Sequence, residues 1–259
     1  MQLLSDLTMS SAGQSINANS GVINLNGKVM TLHNVVNSTG TFEVLGNFTI
    51  TGNGNFNVFN YSQGVYSSFT ISGAPVFRVI NKFRKFNSSS ANFHAGTATS
   101  PLYVDGDFEH TTGYFGAPAI MYIGGSWNRT GGTFVHNNGK VIFSGSRIGA
   151  EMLSTTEAFY YVCMNKAAGS IFTINAGRSM NVTNKLEMIS GNFVTVAATG
   201  IVVACDATTS GGNANSFVSG PLTLSICVAT PVTLYYPTGR RAAFRPVWLT
   251  PTQPPVWQG

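Results

Sequence analysis

A glycine recurs two residues ahead of an aromatic ring, at Gly40–Phe42, Gly46–Phe48, Gly54–Phe56, Gly106–Phe108, Gly113–Phe115, Gly125–Trp127, Gly132–Phe134 and Gly191–Phe193. Glycine supplies turn conformations that other residues resist. A ring two residues on can point inward from a new strand, because strand side chains alternate with period two. The alternation continues in Thr41–Val44, Asn47–Ile50 and Asn55–Val58, each polar then apolar. The cleanest example, Gly124–Ser146, reads as strand, turn, strand, turn, strand, and predicts that Trp127, Phe134 and Phe143 are buried.

Three segments align as units, GNFTITGNGNF from Gly46, GDFEHTTGYF from Gly106 and GSWNRTGGTF from Gly125. The first two starts are spaced like three rungs and the last two like one. A short strand cannot bury its face alone, but stacked copies make a continuous core. The expected fold is therefore all-β, a parallel β-solenoid (β-helix) of short Gly-punctuated strands with roughly 20 residues per rung. It runs over residues 1–255 as a single solenoid, with an internal restart near Phe159, where YYVCMNKAAGSIFTINA repeats the plan of LSDLTMSSAGQSINA. Arg147–Ala158 has the least β character and reads as a loop or a helical turn. Gly64–Ser100 reads as irregular, with a protruding loop over NSSSANFHAGTATSP.

Composition agrees with a β fold that covers its surface with Asn, Ser and Thr. Charged residues are 9%, well under the usual quarter, while 43% hydrophobic and 12% aromatic residues argue for a real core rather than disorder. The net charge of +5 is spread thinly, and its densest group, Arg78, Lys82, Arg84 and Lys85, reads as a strand edge defended by cations rather than a polyanion site. No nucleic-acid partner is expected. No apolar run approaches the roughly 18 residues of a membrane span. The first residues lack a signal-peptide pattern and the chain ends without a closing element, so a fragment of a longer protein with flanking domains is expected. Residues near Trp248 and Trp257 read as the place where a following domain is met.

Candidate chemistry is sparse. Asp105, Asp107 and Glu109 in VDGDFEH share one strand face at period two and are the candidates for weak ligand contact, to a cation or a sugar. Catalysis usually draws acids from neighbouring rungs, and one rung further on stand Ser126 and Asn128. No catalytic residue, metal site or cofactor is expected. His33, His94, His110 and His136 form no ligand spacing. Cys163, Cys205 and Cys227 read as buried free thiols, with a Cys205–Cys227 bridge across adjacent rungs as the alternative. Asn-x-Ser/Thr at Asn37, Asn47, Asn60, Asn87, Asn128 and Asn181 follows from composition. Tyr61, Tyr66, Tyr114, Tyr122, Tyr235 and Tyr236 could stack on sugars, but most read as core or turn packing.

From Phe159 onward the order of features resembles the β-helix repeat region of large secreted and cell-surface, adhesin-like proteins of Bacteroidota-type bacteria. The matching positions are Val218, Gly220, Pro221 and Leu222, then Tyr236, Pro237 and Gly239, then Phe244, Arg245, Pro246 and Val247, within a Gly-Pro/Arg-Pro block over 216–252. The rung around Trp127 also fits. Cys163, Cys205, Cys227 and Arg240–Arg241 depart from the pattern. The resemblance implies a non-enzymatic structural segment of an exported protein, extracellular or at the cell surface. It would act as a rigid stalk or binding scaffold, with surface polysaccharide or another extracellular ligand as partner. The alternatives are a carbohydrate-active β-helix enzyme of the polysaccharide lyase or glycoside hydrolase type, and a viral fibre.

Overall fold

The computed structural model describes residues 1–9, 15–32, 40–196, 200–227, 232–240 and 243–250. His33, Asn37, Arg241 and Trp257, named above, lie outside them. The described residues are all-β with no helix, and their parallel strands stack as a β-solenoid. The chain forms two compact units, Met1–Gly139 and Lys140–Gly259.

The first unit coils as follows. Its first turn is β1 (Leu7–Met9), β2 (Ser15–Ala18) and β3 (Gly21–Asn24), and its second is β4 (Lys28–Leu32), β5 (Thr41–Val44) and β6 (Phe48–Thr51). In the next two turns the first pair of strands fuses, giving β7 (Asn53–Gln63) with β8 (Ser68–Ile71), then β9 (Ala74–Lys85) with β10 (Asn92–His94). The last two turns are β11 (Leu102–Val104), β12 (Asp107–His110) and β13 (Tyr114–Gly116), then β14 (Ile120–Ile123), β15 (Trp127–Arg129) and β16 (Thr133–Val135). Every strand pair within these turns is parallel.

Parallel register puts like on like. One inward column is Phe42, Tyr61, Phe83, Phe108 and Trp127, with ring centroids 4.4 Å apart at Tyr61–Phe83 and 4.3 Å at Phe108–Trp127. A second is Phe48, Phe69, Phe93, Phe115 and Phe134, with Phe93 and Phe115 stacked at 4.6 Å. The two columns meet edge to face, as at Phe83–Phe93. Offset and T-shaped pairs of this kind add about 0.5–1.5 kcal/mol each beyond area burial. Trp127 and Phe143 are fully buried. Phe134, the last ring of its column in this unit, is half-buried, resting on Phe115 and edge-on to Trp127.

The ladder corrects the alignment of the Gly46 segment. Gly106 and Gly125 are in phase, since Phe108 pairs with Trp127 on the following turn. Phe48, however, stands in the column of Phe115, not Phe108, so Gly46 matches Gly113. The motif serves two corners, and its glycines answer two needs, a left-handed φ at some and a close backbone approach at others, including Gly46, where a Cβ would lie 1.2 Å from the Asn19 carbonyl oxygen. Gly113 has φ +74°, a left-handed turn. At Gly106 the requirement is proximity, because a Cβ there would lie 1.6 Å from the Asn81 carbonyl oxygen of the turn before. Gly64–Ser100 is not irregular, since β8, β9 and β10 occupy it and Phe93, Ala91, Ala95 and Ala98 are buried.

The second unit has β17 (Lys140–Gly145) and β18 (Ala150–Glu151), β19 (Thr156–Lys166) and β20 (Ile171–Ile174), and β21 (Ser179–Ser190) and β22 (Asn192–Thr195). Next come β23 (Ile201–Val203), β24 (Thr208–Gly211) and β25 (Val218–Ser219). They are followed by β26 (Thr223–Leu224), β27 (Leu234–Tyr236), β28 (Thr238–Arg240), β29 (Ala243–Phe244) and β30 (Val247–Leu249). Its core stacks Phe143 on Met164 on Met188, and Phe172 on Phe193 on Val218. The weakly β stretch Arg147–Ala158 is a turn, the short strand β18 and the start of β19. In the last described strands β28 still pairs parallel with β25, while β28–β29 and β27–β30 pair antiparallel. This is the Pro/Gly block, in which Arg245 N donates to Thr238 O and the Gly239 backbone packs against the Phe217 ring.

Cys205 and Cys227 form a disulfide, with Cα atoms 5.3 Å apart, while Cys163 is a buried free thiol. Free thiols at all three positions are therefore corrected to one. Val203 pairs with Leu224 on the next turn, which brings residues 205 and 227 to the ends of neighbouring strands.

Candidate functional site

The acidic trio lies on the outer face of the first unit, beside the basic group of β9. Strand β9 is an interior strand, paired to β7 on one side and to β11 and β12 on the other, which corrects its reading as a cation-defended edge. Register sets Lys82 opposite Asp107 and Arg84 opposite Glu109. Arg78 Nε lies 2.6 Å from Asp105 Oδ2, Lys82 Nζ 2.6 Å from Glu109 Oε2 and Arg84 Nε 3.0 Å from Glu109 Oε1. Asp107 Oδ1 accepts from Ser126 N at 2.8 Å. Burial works to raise the Glu109 pKa, but the hydrogen bonds from Lys82 and Arg84 outweigh it and hold the carboxyl below its usual range. Asp105 and Glu109 are thus ion-paired and Asp107 accepts a backbone N–H, which makes a tied surface rather than a carboxylate-lined groove.

Aromatic rings cover the same face. Tyr103 and Tyr122 stack at 4.6 Å, the Arg78 guanidinium sits 5.6 Å from the Tyr103 centroid and that of Arg84 4.0 Å from Phe86. Asn81 donates to Asn60 Oδ1 at 3.0 Å, an amide ladder between turns. Of the tyrosines, Tyr61 is core and Tyr66 is 82% exposed.

Lys85, the fourth cation of the group, points inward. Gln63, Lys85, His110 and Arg129 form a polar column at the corner that ends this face, and the first three are fully buried. Each donates to turn carbonyls. Gln63 Nε2 bonds Ser67 O and Asn92 O, Lys85 Nζ bonds Thr112 O at 2.7 Å, His110 Nε2 bonds Thr112 O at 2.9 Å and Arg129 bonds Gly132 O. Burial pushes Lys85 down to about 8.

The second unit carries its own charged cluster. Glu187 Oε2 accepts from Tyr161 OH at 2.6 Å and Lys140 Nζ at 2.8 Å. Burial works to raise Glu187, but these bonds hold it to about 2. Burial pushes the adjacent Cys163 thiol up to about 12, which leaves it protonated and unreactive. A cavity of about 250 Å³ lies beside the disulfide, lined by Asp206, Thr209, Leu224, Cys227, Val232 and Tyr235 among others. Among the described residues its lining holds one carboxylate, Asp206, and no convergent acid–base pair.

His94 is exposed beside Tyr114, His136 Nδ1 accepts from Asn138 N, and among the described residues no His, Cys, Asp and Glu cluster has the makings of a metal site. Among the described residues no helix is long and apolar enough to cross a membrane. Comparison with models of protein families, with curated proteins and with solved structures gives no significant match.

Proposed function

We propose that the chain is a non-enzymatic, adhesin-like segment of an exported bacterial surface protein, a rigid stalk or binding scaffold. The observation that carries this reading is the neutralisation of Asp105 and Glu109 by Arg78, Lys82 and Arg84 on the turn before. A general acid or base needs a carboxyl poised to exchange protons, and a carboxylate held by two cations serves poorly. Ring-on-ring stacking along the coil favours stiffness over closure on a substrate. The Cys205–Cys227 disulfide supports export, because such bridges persist in oxidising compartments. The Pro/Gly block, whose residues resemble those of Bacteroidota-type surface proteins, adds to the same reading. Polysaccharide or another extracellular ligand would be met by the ion-paired, tyrosine-bearing outer face.

Incubation of the protein with soluble neutral and uronic-acid polysaccharides tests the reading. No new reducing ends or unsaturated uronides are expected. Chain cleavage that disappears in Asp105→Asn, Asp107→Asn or Glu109→Gln would establish the carbohydrate-active enzyme instead.

A further inference from the structure

We propose that the corner at residues 110–113 is an acid-operated latch, held closed by a neutral His110 and released when that ring gains a second proton. His110 ends β12 and is fully buried. Its Nε2 faces two carbonyl oxygens, Thr112 O at 2.9 Å and Gly113 O at 3.2 Å. Carbonyls only accept, so Nε2 carries the proton and Nδ1 the lone pair. Nδ1 is buried without a hydrogen-bond partner among the described residues. A proton placed there would have nothing to bond.

The charged groups that face the ring make matters worse for an imidazolium. Register sets Lys85 of β9 on one side and Arg129 of β15 on the other. Lys85 Nζ already donates to the same Thr112 oxygen. Phe108, from the same strand, and Phe115 of β13 also flank the ring, with centroids 6.4 and 6.0 Å away, and the Gly132 backbone of the next turn approaches Nε2. Burial first, and Lys85 second, push His110 down from 6.5 to about 4. Between those two values the opened corner binds a proton that the closed corner refuses. Closure therefore weakens as pH falls through that window and is unaffected above it.

The chain supplies its own control. Gln63 occupies the equivalent corner two turns earlier and donates to turn carbonyls without titrating. His110→Gln should therefore keep the latch and lose its pH dependence. The reporters are the amides of Thr111, bonded to Lys85 O, and Tyr114, bonded to Ala91 O. Their hydrogen-exchange protection, corrected for intrinsic rates, is measured on the whole chain at pH 7 and pH 5. Protection in the native protein should fall by about 25-fold, and in His110→Gln by far less. Equal losses in the two proteins, or none in the native one, overturn the proposal. Should His110→Gln fail to fold, the ring titration of the native protein decides. A midpoint well below 5 that coincides with amide release supports the latch, and a midpoint near 6.5 overturns it.

Discussion

At the scale of the residue, the columns assign each ring a value that exposure alone would not. Phe93 is stacked on Phe115 and touches Tyr61, Phe69 and Phe83, all at centroid distances of 5.8 Å or less. Cutting it to alanine removes a wall from several neighbours at once, and the turns above and below cannot collapse into the gap without breaking register. Phe93→Ala should cost about 3–5 kcal/mol in denaturant unfolding. Tyr66→Ala, at an 82% exposed ring, should stay within about 0.5 kcal/mol. A loss at Phe93 no larger than at Tyr66 would refute the stacked core. Trp127 was legible as an anchor because the glycine two residues before it sets which way the new strand's side chains point, and Phe143 because it ends the apolar run Val141–Phe143. Phe134 was legible only in part, because its half-exposure depends on being the last ring of its column in the unit.

At the scale of the element, strand pairing decides what charged side chains do. The acids from Asp105 to Glu109 invite a search one rung ahead, where the Ser126 backbone N–H does meet Asp107, but the cations that pair with Asp105 and Glu109 stand one turn behind. Arg78 precedes Asp105 by a turn, and Lys82 and Arg84 precede Glu109 by a turn. Turn length varies along the coil, being shorter from Phe108 to Trp127 than from Gly21 to Phe48. A fixed period therefore drifts off register within one or two turns. The inward Lys85 and His110 were missed for a related reason, since nothing in the local alternation says that a strand's last residue turns a corner with its donor aimed at the turn. The cluster on β17, β19 and β21 yields a prediction with a definite sign. Because Glu187 is held down to about 2, it contributes stability above its unfolded pKa of about 4.5, and that contribution fades as pH falls toward 2. Glu187→Gln should cost about 1–2 kcal/mol at pH 7, and the difference from the native protein should shrink steadily below pH 4.5. A gap independent of pH would show that the carboxylate is not what Lys140 and Tyr161 hold.

At the scale of the whole molecule, a solenoid's stability is approximately a sum over turns and their neighbours. The Cys205–Cys227 bridge spans 22 residues near the end of the second unit. Closing a loop of that size is worth about 3 kcal/mol on chain-entropy grounds. Replacing both cysteines by serine should release exchange protection in β23 and β26 while leaving β7 and β9 of the first unit unchanged. Loss spread evenly over both units would mean that the coil melts as one body. The antiparallel pairs β27–β30 and β28–β29 should loosen along with β26, since they follow the bridged turn.

The sequence by itself determined the class of structure. Glycines at fixed distance from aromatic rings, polar–apolar alternation and scarce charge leave few solutions other than stacked short strands, because each strand buries one face only when another lies on it. Tertiary structure alone decided phase and partnership. It showed that Gly46 matches Gly113, that Lys and Arg of one turn neutralise Asp105 and Glu109 of the next, that Cys205 meets Cys227, and that His110 lies between two cations. These depend on how many residues each corner consumes. Corner length is set by three-dimensional fit, such as the close approach of Gly106 to the Asn81 carbonyl, and no local pattern encodes it.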